Sequence, residues 1–127
     1  MENKHIEYAL RYFNDYAVKI ASFMLDFDSD EYEFNVSMEE PGVSKIEAYT
    51  KNEEDRFSVV TDFRIVEDFI EELGEECYNN CSEYLLQKAI SDNQVNSNTT
   101  KEYFICLMIN NIAMRFANEC KNLNFEL

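Results

Sequence analysis

The run Glu71-Glu72-Leu73-Gly74-Glu75-Glu76 is the part of this 127-residue sequence best suited to chemistry. Carboxylates one turn apart on a helix converge on a hard cation such as Mg²⁺. The four cysteines are the second candidate. Cys77 and Cys81, four apart, share one helix face and have the spacing of a chelating pair. Cys106 and Cys120 are fourteen apart on one predicted helix, roughly 21 Å from each other at about 1.5 Å per residue. A zinc–sulfur bond is about 2.3 Å, so those two cannot share an ion. Buried, reduced thiols are the expected state, with no metal site. Nucleophilic catalysis finds no constellation: His5 is the single histidine and has no orienting acid beside it. Gly42 and Gly74 lie too far apart to form a phosphate-binding loop. Neither a catalytic residue nor a cofactor is expected.

The glutamate run resembles the first carboxylate motif of the MazG-type nucleotide pyrophosphohydrolases. These all-helical enzymes hold Mg²⁺ through Glu-Glu-x-x-Glu and a later Glu-x-x-Asp. The resemblance implies Glu71, Glu72 and Glu75 as ligands, and it covers six residues of 127. The second motif is missing: after Glu83 the acids are Asp92, Glu102, Glu119 and Glu126, and none forms Glu-x-x-Asp. Asn110 and Asn111 stand where a facing helix would need charge. A Mg²⁺-dependent hydrolase is therefore a lesser alternative.

The larger signal is charge. The chain carries a net −15, and its distribution is uneven. Residues 26–76 hold 18 acids against four bases (Lys45, Lys51, Arg56, Arg64), a net −14, while the rest nets −1. Solubility needs only a modest charge spread anywhere on the surface. Concentrating it costs self-repulsion, which points to a functional cause. Apolar residues at 46%, with two Gly and one Pro, place the chain among globular sequences despite that charge. Its length accommodates one core, so residues 1–127 are expected to form a single domain. The N-terminal residues lack the apolar region and cleavage site of a signal peptide, and no apolar run approaches a membrane span. A cytoplasmic protein, in a host bacterial cytosol, is expected. The Asn-x-Ser/Thr triplets at Asn35, Asn80 and Asn98 then carry no glycan.

These groups must be positioned by an α+β fold. Ile6, Ala9, Leu10, Phe13, Ala17, Ile20, Met24 and Phe27 follow the i, i+3, i+4, i+7 pattern and predict a helix over about 3–26. Tyr32, Phe34, Val36 and Met38 alternate with polar residues and predict a half-buried strand. Glu39-Glu40-Pro41-Gly42 is a turn. Val43 to Thr50 predicts a second strand, and Phe57, Val59 and Thr61 the inward residues of a third, after a polar turn at 51–55. Asp62 is the predicted N-cap of a helix to about Ser91, with Gly74 a candidate kink. Thr99 and Glu102 form a capping box ahead of the last helix, whose apolar residues Phe104, Ile105, Met108, Ile109, Ile112, Ala113 and Phe116 suit a central core helix. The order is α-β-β-β-α-α: an N-terminal helix, a three-stranded antiparallel meander and two C-terminal helices packed on one face of the sheet.

That arrangement turns the other sheet face toward solvent. Glu31, Glu33, Glu47 and Tyr49 on that face, with Glu39, Glu40, Glu53, Glu54 and Asp55 at its turns, form one source of negative surface. The outer stripe Glu67, Asp68, Glu71, Glu72, Glu75 and Glu76 forms another. The two are expected to merge, with Tyr49 and Phe63 as apolar anchors. Carboxylates roughly 5–7 Å apart approximate the phosphate spacing of a nucleic-acid strand. Such a surface seeks a groove lined with Lys and Arg and repels nucleic acid itself. In size, acidity and element order the chain resembles two groups of small bacterial and phage inhibitors: anti-CRISPR proteins that mimic DNA, and acidic immunity proteins that neutralise nuclease toxins. The resemblance implies a non-enzymatic inhibitor of a nuclease or CRISPR effector, binding neither nucleic acid nor membrane, as a monomer or homodimer. The other alternative is a structural or adaptor protein binding through its apolar helices.

Overall fold

A computed structural model describes residues 3–123. The elements in chain order are α1 (Asn3–Leu25), β1 (Tyr32–Ser37), β2 (Ser44–Thr50), β3 (Ser58–Phe63), α2 (Ile65–Leu73), α3 (Glu75–Ser91) and α4 (Lys101–Leu123). The three strands form one antiparallel sheet in the order β1-β2-β3. Tyr32 faces Thr50 and Val36 faces Ile46; Ala48 faces Val59 and Ser44 faces Phe63. The predicted α+β class, with an N-terminal helix, a three-stranded antiparallel sheet and then helices, is that of the structure, which has four helices where three were predicted.

Burial of apolar stripes explains the layers. α1 and α4 pack along each other more extensively than any other pair of helices. Ala9, Ala17 and Ala21 of α1, and Ala113 and Ala117 of α4, are fully buried, and small side chains of this kind permit close approach of two helices. Between them lie Phe13, Ile20, Ile105 and Ile109, also fully buried. The inner face of the sheet joins this core through Ile46 and Phe63, with Phe34 and Val36 packed against it. Aromatic edges stitch α1 and the segment after it to the strands: Phe23 to Phe63 at 6.0 Å and Tyr16 to Phe63 at 6.2 Å from the helix, and Phe27 to Tyr32 at 5.0 Å just beyond it. A buried polar link, the Ser44 hydroxyl donating to Asn110 Oδ1 at 3.0 Å, ties β2 to α4.

Five local readings are corrected. The predicted helix from Asp62 to Ser91 is two helices, because Gly74 adopts φ 91°, ψ 154°, a conformation essentially confined to glycine. Asp62 belongs to β3 and caps nothing; α2 starts after Arg64 with no side-chain cap, and its Val66 N–H donates to the Gly42 carbonyl at 3.1 Å instead. The cap of α4 is Thr100, whose Oγ1 accepts the Tyr103 N–H at 3.2 Å, one residue beyond the predicted Thr99. In α1 the buried stripe runs through Tyr16 and Ala21, and Leu10 is 41% exposed. Finally, Phe57 and Val59 alternate as expected but are 52% and 38% exposed, because β3 is an edge strand that the helices do not fully cover.

Candidate protein-binding surface

The acidic residues fall into three zones set by the strands and α2. The first lies at the sheet end where β1 begins. Asp30, Glu31, Tyr32, Thr50, Lys51, Asn52, Asp55 and Phe57 line an open cavity of about 380 Å³ there. Glu53 and Glu54 sit exposed in the adjoining β2–β3 turn. An Asx turn holds this region, with Asp28 Oδ1 accepting the Asp30 N–H at 2.9 Å. The Lys51 ammonium donates to the Ser29 carbonyl at 2.8 Å and leaves the neighbouring carboxylates unpaired.

The second zone is the open face of the sheet. The register places Glu33 opposite Tyr49 and Asn35 opposite Glu47 on one side, with Lys45 opposite Asp62 on the other. The Glu33 carboxylate, by hydrogen bonding, holds the Tyr49 hydroxyl above its ordinary pKa. Arg56 lies over the Tyr49 ring, 4.9 Å from its centroid. The face is therefore mixed in charge, and Tyr49 already carries a cation.

The third zone gathers around α2 at the opposite sheet end, about 20 Å of β3 away from the first. Gly42, at φ +80°, brings the Glu39–Glu40 turn against the start of α2. Glu67 and Asp68 occupy the first turn of α2, where the helix dipole favours negative charge, and Glu75 and Glu76 do the same for α3. Glu71 and Glu72 differ. They lie in the last turn of α2, which has no basic residue and where the dipole opposes them. A shallow cavity of about 310 Å³ joins Asp68, Glu71 and Glu72 to Tyr12, Tyr16 and Lys19 of α1. The Tyr16 hydroxyl donates to Asp68 Oδ2 at 2.7 Å. Burial first, then this bond, drives the Tyr16 pKa well above the ordinary tyrosine range. Tyr12 is raised by burial and by the charges of Asp68 and Glu72.

Ion pairing scarcely touches these groups. Arg64 to Glu67 at 3.5 Å, itself well exposed, is the single salt bridge among the described residues. The cations nearby are directed to carbonyls and rings, Lys19 over Tyr16 at 5.2 Å being a further case. Phe63, expected as an anchor, is instead core and 5% exposed. The tyrosines of α1 were missed as site residues, although Tyr12 and Tyr16 stand four apart beside the apolar stripe. Also missed was the exposed trio Phe57, Val59 and Val60 at the β3 edge.

The geometry bears on the cation-binding alternative too. Gly74 puts Glu71 and Glu72 on one helix and Glu75 on the next, so the three do not share the single helical turn that the motif requires. Asn110 is buried and engaged with Ser44. Among the described residues no cluster of three or more His, Cys, Asp or Glu could hold a metal ion. All four thiols are free and buried. Burial, aided by the Cys77 thiol 3.8 Å away, pushes Cys81 up to about 12; burial and then Glu102 push Cys106 up to about 11. No helix among the described residues is long and apolar enough to cross a membrane. Comparison with protein-family models, with curated proteins and with solved structures gives no match for this chain.

Proposed function

We propose that this protein is a non-enzymatic acidic inhibitor that inserts its carboxylates into the basic nucleic-acid-binding cleft of a nuclease or CRISPR effector, in place of nucleic acid. The observation that carries this reading is the pair Glu71 and Glu72, exposed and unpaired in a helix turn whose dipole disfavours them. Folding alone gives no reason to keep two carboxylates there. A cationic partner would.

The α2 zone is the core of the proposed contact, with Glu39, Glu40, Glu67, Glu75 and Glu76 around it and Tyr12 as a partly buried aromatic beside the acids. The acids of the distal turn extend the negative field and steer the encounter. Each exposed charge pair would contribute about 0–1 kcal/mol, so affinity would come from many such pairs around a few desolvated groups. Association would be fast at low salt and slow at high salt.

Affinity capture tests this. Immobilised protein is exposed to bacterial lysate at low salt, and bound material is challenged with duplex DNA. Release of a basic nuclease or effector by the DNA is the expected result. A captured partner that DNA does not displace, or that binds equally well at high salt, would overturn the mimicry.

A further inference from the structure

We propose that β3 is also a self-association edge, pairing antiparallel with β3 of a second copy about a two-fold axis at Val59. This inference does not depend on the inhibitor reading.

β3 is the last strand of the sheet, and Ser58, Val59, Val60 and Asp62 along it are exposed. The Thr50 N–H donates to the Phe57 carbonyl at 3.1 Å. Since antiparallel ladders alternate, Phe57, Val59 and Thr61 direct their backbone groups to β2, and Ser58, Val60 and Asp62 direct theirs outward. The strand contains no Pro, Lys or bulge to blunt that edge, and it presents Val59 at 38% and Val60 at 45% exposure, with Phe57 just before it at 52%.

Geometry and charge together select the partner and the register. Outward-directed residues must oppose outward-directed residues, so only registers that shift by whole pairs are allowed. With Val60 opposite Val60, Arg56 would meet Arg64. With Ser58 opposite Ser58, Arg56 would meet Val60 and no opposite charges would pair. With Val59 opposite Val59, Ser58 meets Val60 and Arg56 meets Asp62, and the two-fold axis repeats each pair. One register therefore places opposite charges together at both ends, and it does so only with a copy of the same strand. On the inner face it brings the two Val59 side chains together and sets each Phe57 against Thr61 of the other copy. The result is a continuous six-stranded sheet with the two β3 strands at its centre.

Sedimentation over a range of protein concentrations, in moderate salt to screen the repulsion between two −15 chains, tests the proposal. A concentration-dependent dimer is expected. Val60→Pro removes an outward N–H without touching the β2 ladder and should raise the dissociation constant at least about tenfold. Arg56→Asp and Asp62→Arg should each be monomeric alone and form a dimer on mixing, because only the mixed pair restores opposite charges at both ends. Val59→Cys should form an intermolecular disulfide under mild oxidation, since the four native thiols are buried. A monomer at every concentration would overturn the proposal, as would a dimer indifferent to Val60→Pro. Failure of the mixed charge variants to associate would overturn the register.

Discussion

The α1–α4 pair and the acidic middle of the chain divide the work of the molecule between them. The helices at the two ends of the described chain carry nearly balanced charge and supply most of the buried apolar side chains, while Tyr8, Leu10, Val18, Tyr103 and Met114 stay exposed. Residues 26–76 fold onto that platform through inward groups such as Ile46, Ala48, Phe63, Ile65 and Phe69, and turn most of their acids to solvent. Stability is thus concentrated where the sequence is apolar and neutral, and recognition where it is charged. The contrast teaches that the carboxylates can be altered with little structural consequence, while the aromatic links beneath them cannot.

The most severe break should come at Phe69, where the two regions meet. Its ring is fully buried, with edge contacts to Tyr12 at 4.7 Å and Tyr78 at 5.5 Å. Phe69→Ala should cost about 3–5 kcal/mol in denaturant unfolding, against about 0.5 kcal/mol or less for the exposed Leu10→Ala. Comparable costs would mean that burial does not decide where stability resides.

The glycines come next. At Gly42 an added Cβ would meet the Val66 side chain at 2.7 Å and would stand on a backbone at φ +80°. Gly42→Ala should cost about 2–4 kcal/mol. Gly74→Ala has open space around it and meets backbone strain alone, about 1–3 kcal/mol. The ranking of the two is the test, since a reversal would mean that the α2–α3 break matters more than the contact of α2 with the sheet.

A smaller effect separates the buried thiols from the exposed acids by pH. Cys81 and Cys106 are raised when folded, so the folded chain holds their protons more tightly than the unfolded one. Their contribution to stability is complete below about pH 9 and is lost as pH rises through about 11 and 12. The raised Tyr12, Tyr16 and Tyr78 act in the same direction. Denaturation midpoints should therefore fall on the alkaline side, and a flat profile would refute the burial argument. The smallest stability change belongs to Glu71→Gln and Glu72→Gln. Each relieves an unfavourable dipole interaction and should stabilise by about 0.3–1 kcal/mol, as thermal melts would register.

How much was legible in the sequence follows from the same division. Periodicity located α1, the strands and the core of α4, because a stripe that must be buried declares itself in the spacing of its residues. It misplaced the start of α2 because Asp62 has the chemistry of a cap, while the sheet register claims it for β3. It read Gly74 as a kink, and only the ψ angle reveals a complete break. Phe63 looked available because alternation separates two faces without saying which residue α1 will reach over to cover. The acid run was plain, but its partition into three zones depends on which sheet end each turn occupies. That is a property of topology, and composition cannot disclose it.

The central claim is that unpaired carboxylates on α2 dock against a basic surface. Its most direct test is the salt dependence of the dissociation constant for the captured partner, compared between the native chain and the Glu71→Gln/Glu72→Gln double variant. The account predicts an affinity that falls steeply with salt and a shallower slope for the variant, which remains as stable or becomes more so. Affinity insensitive to salt, or identical slopes for the two proteins, would contradict it.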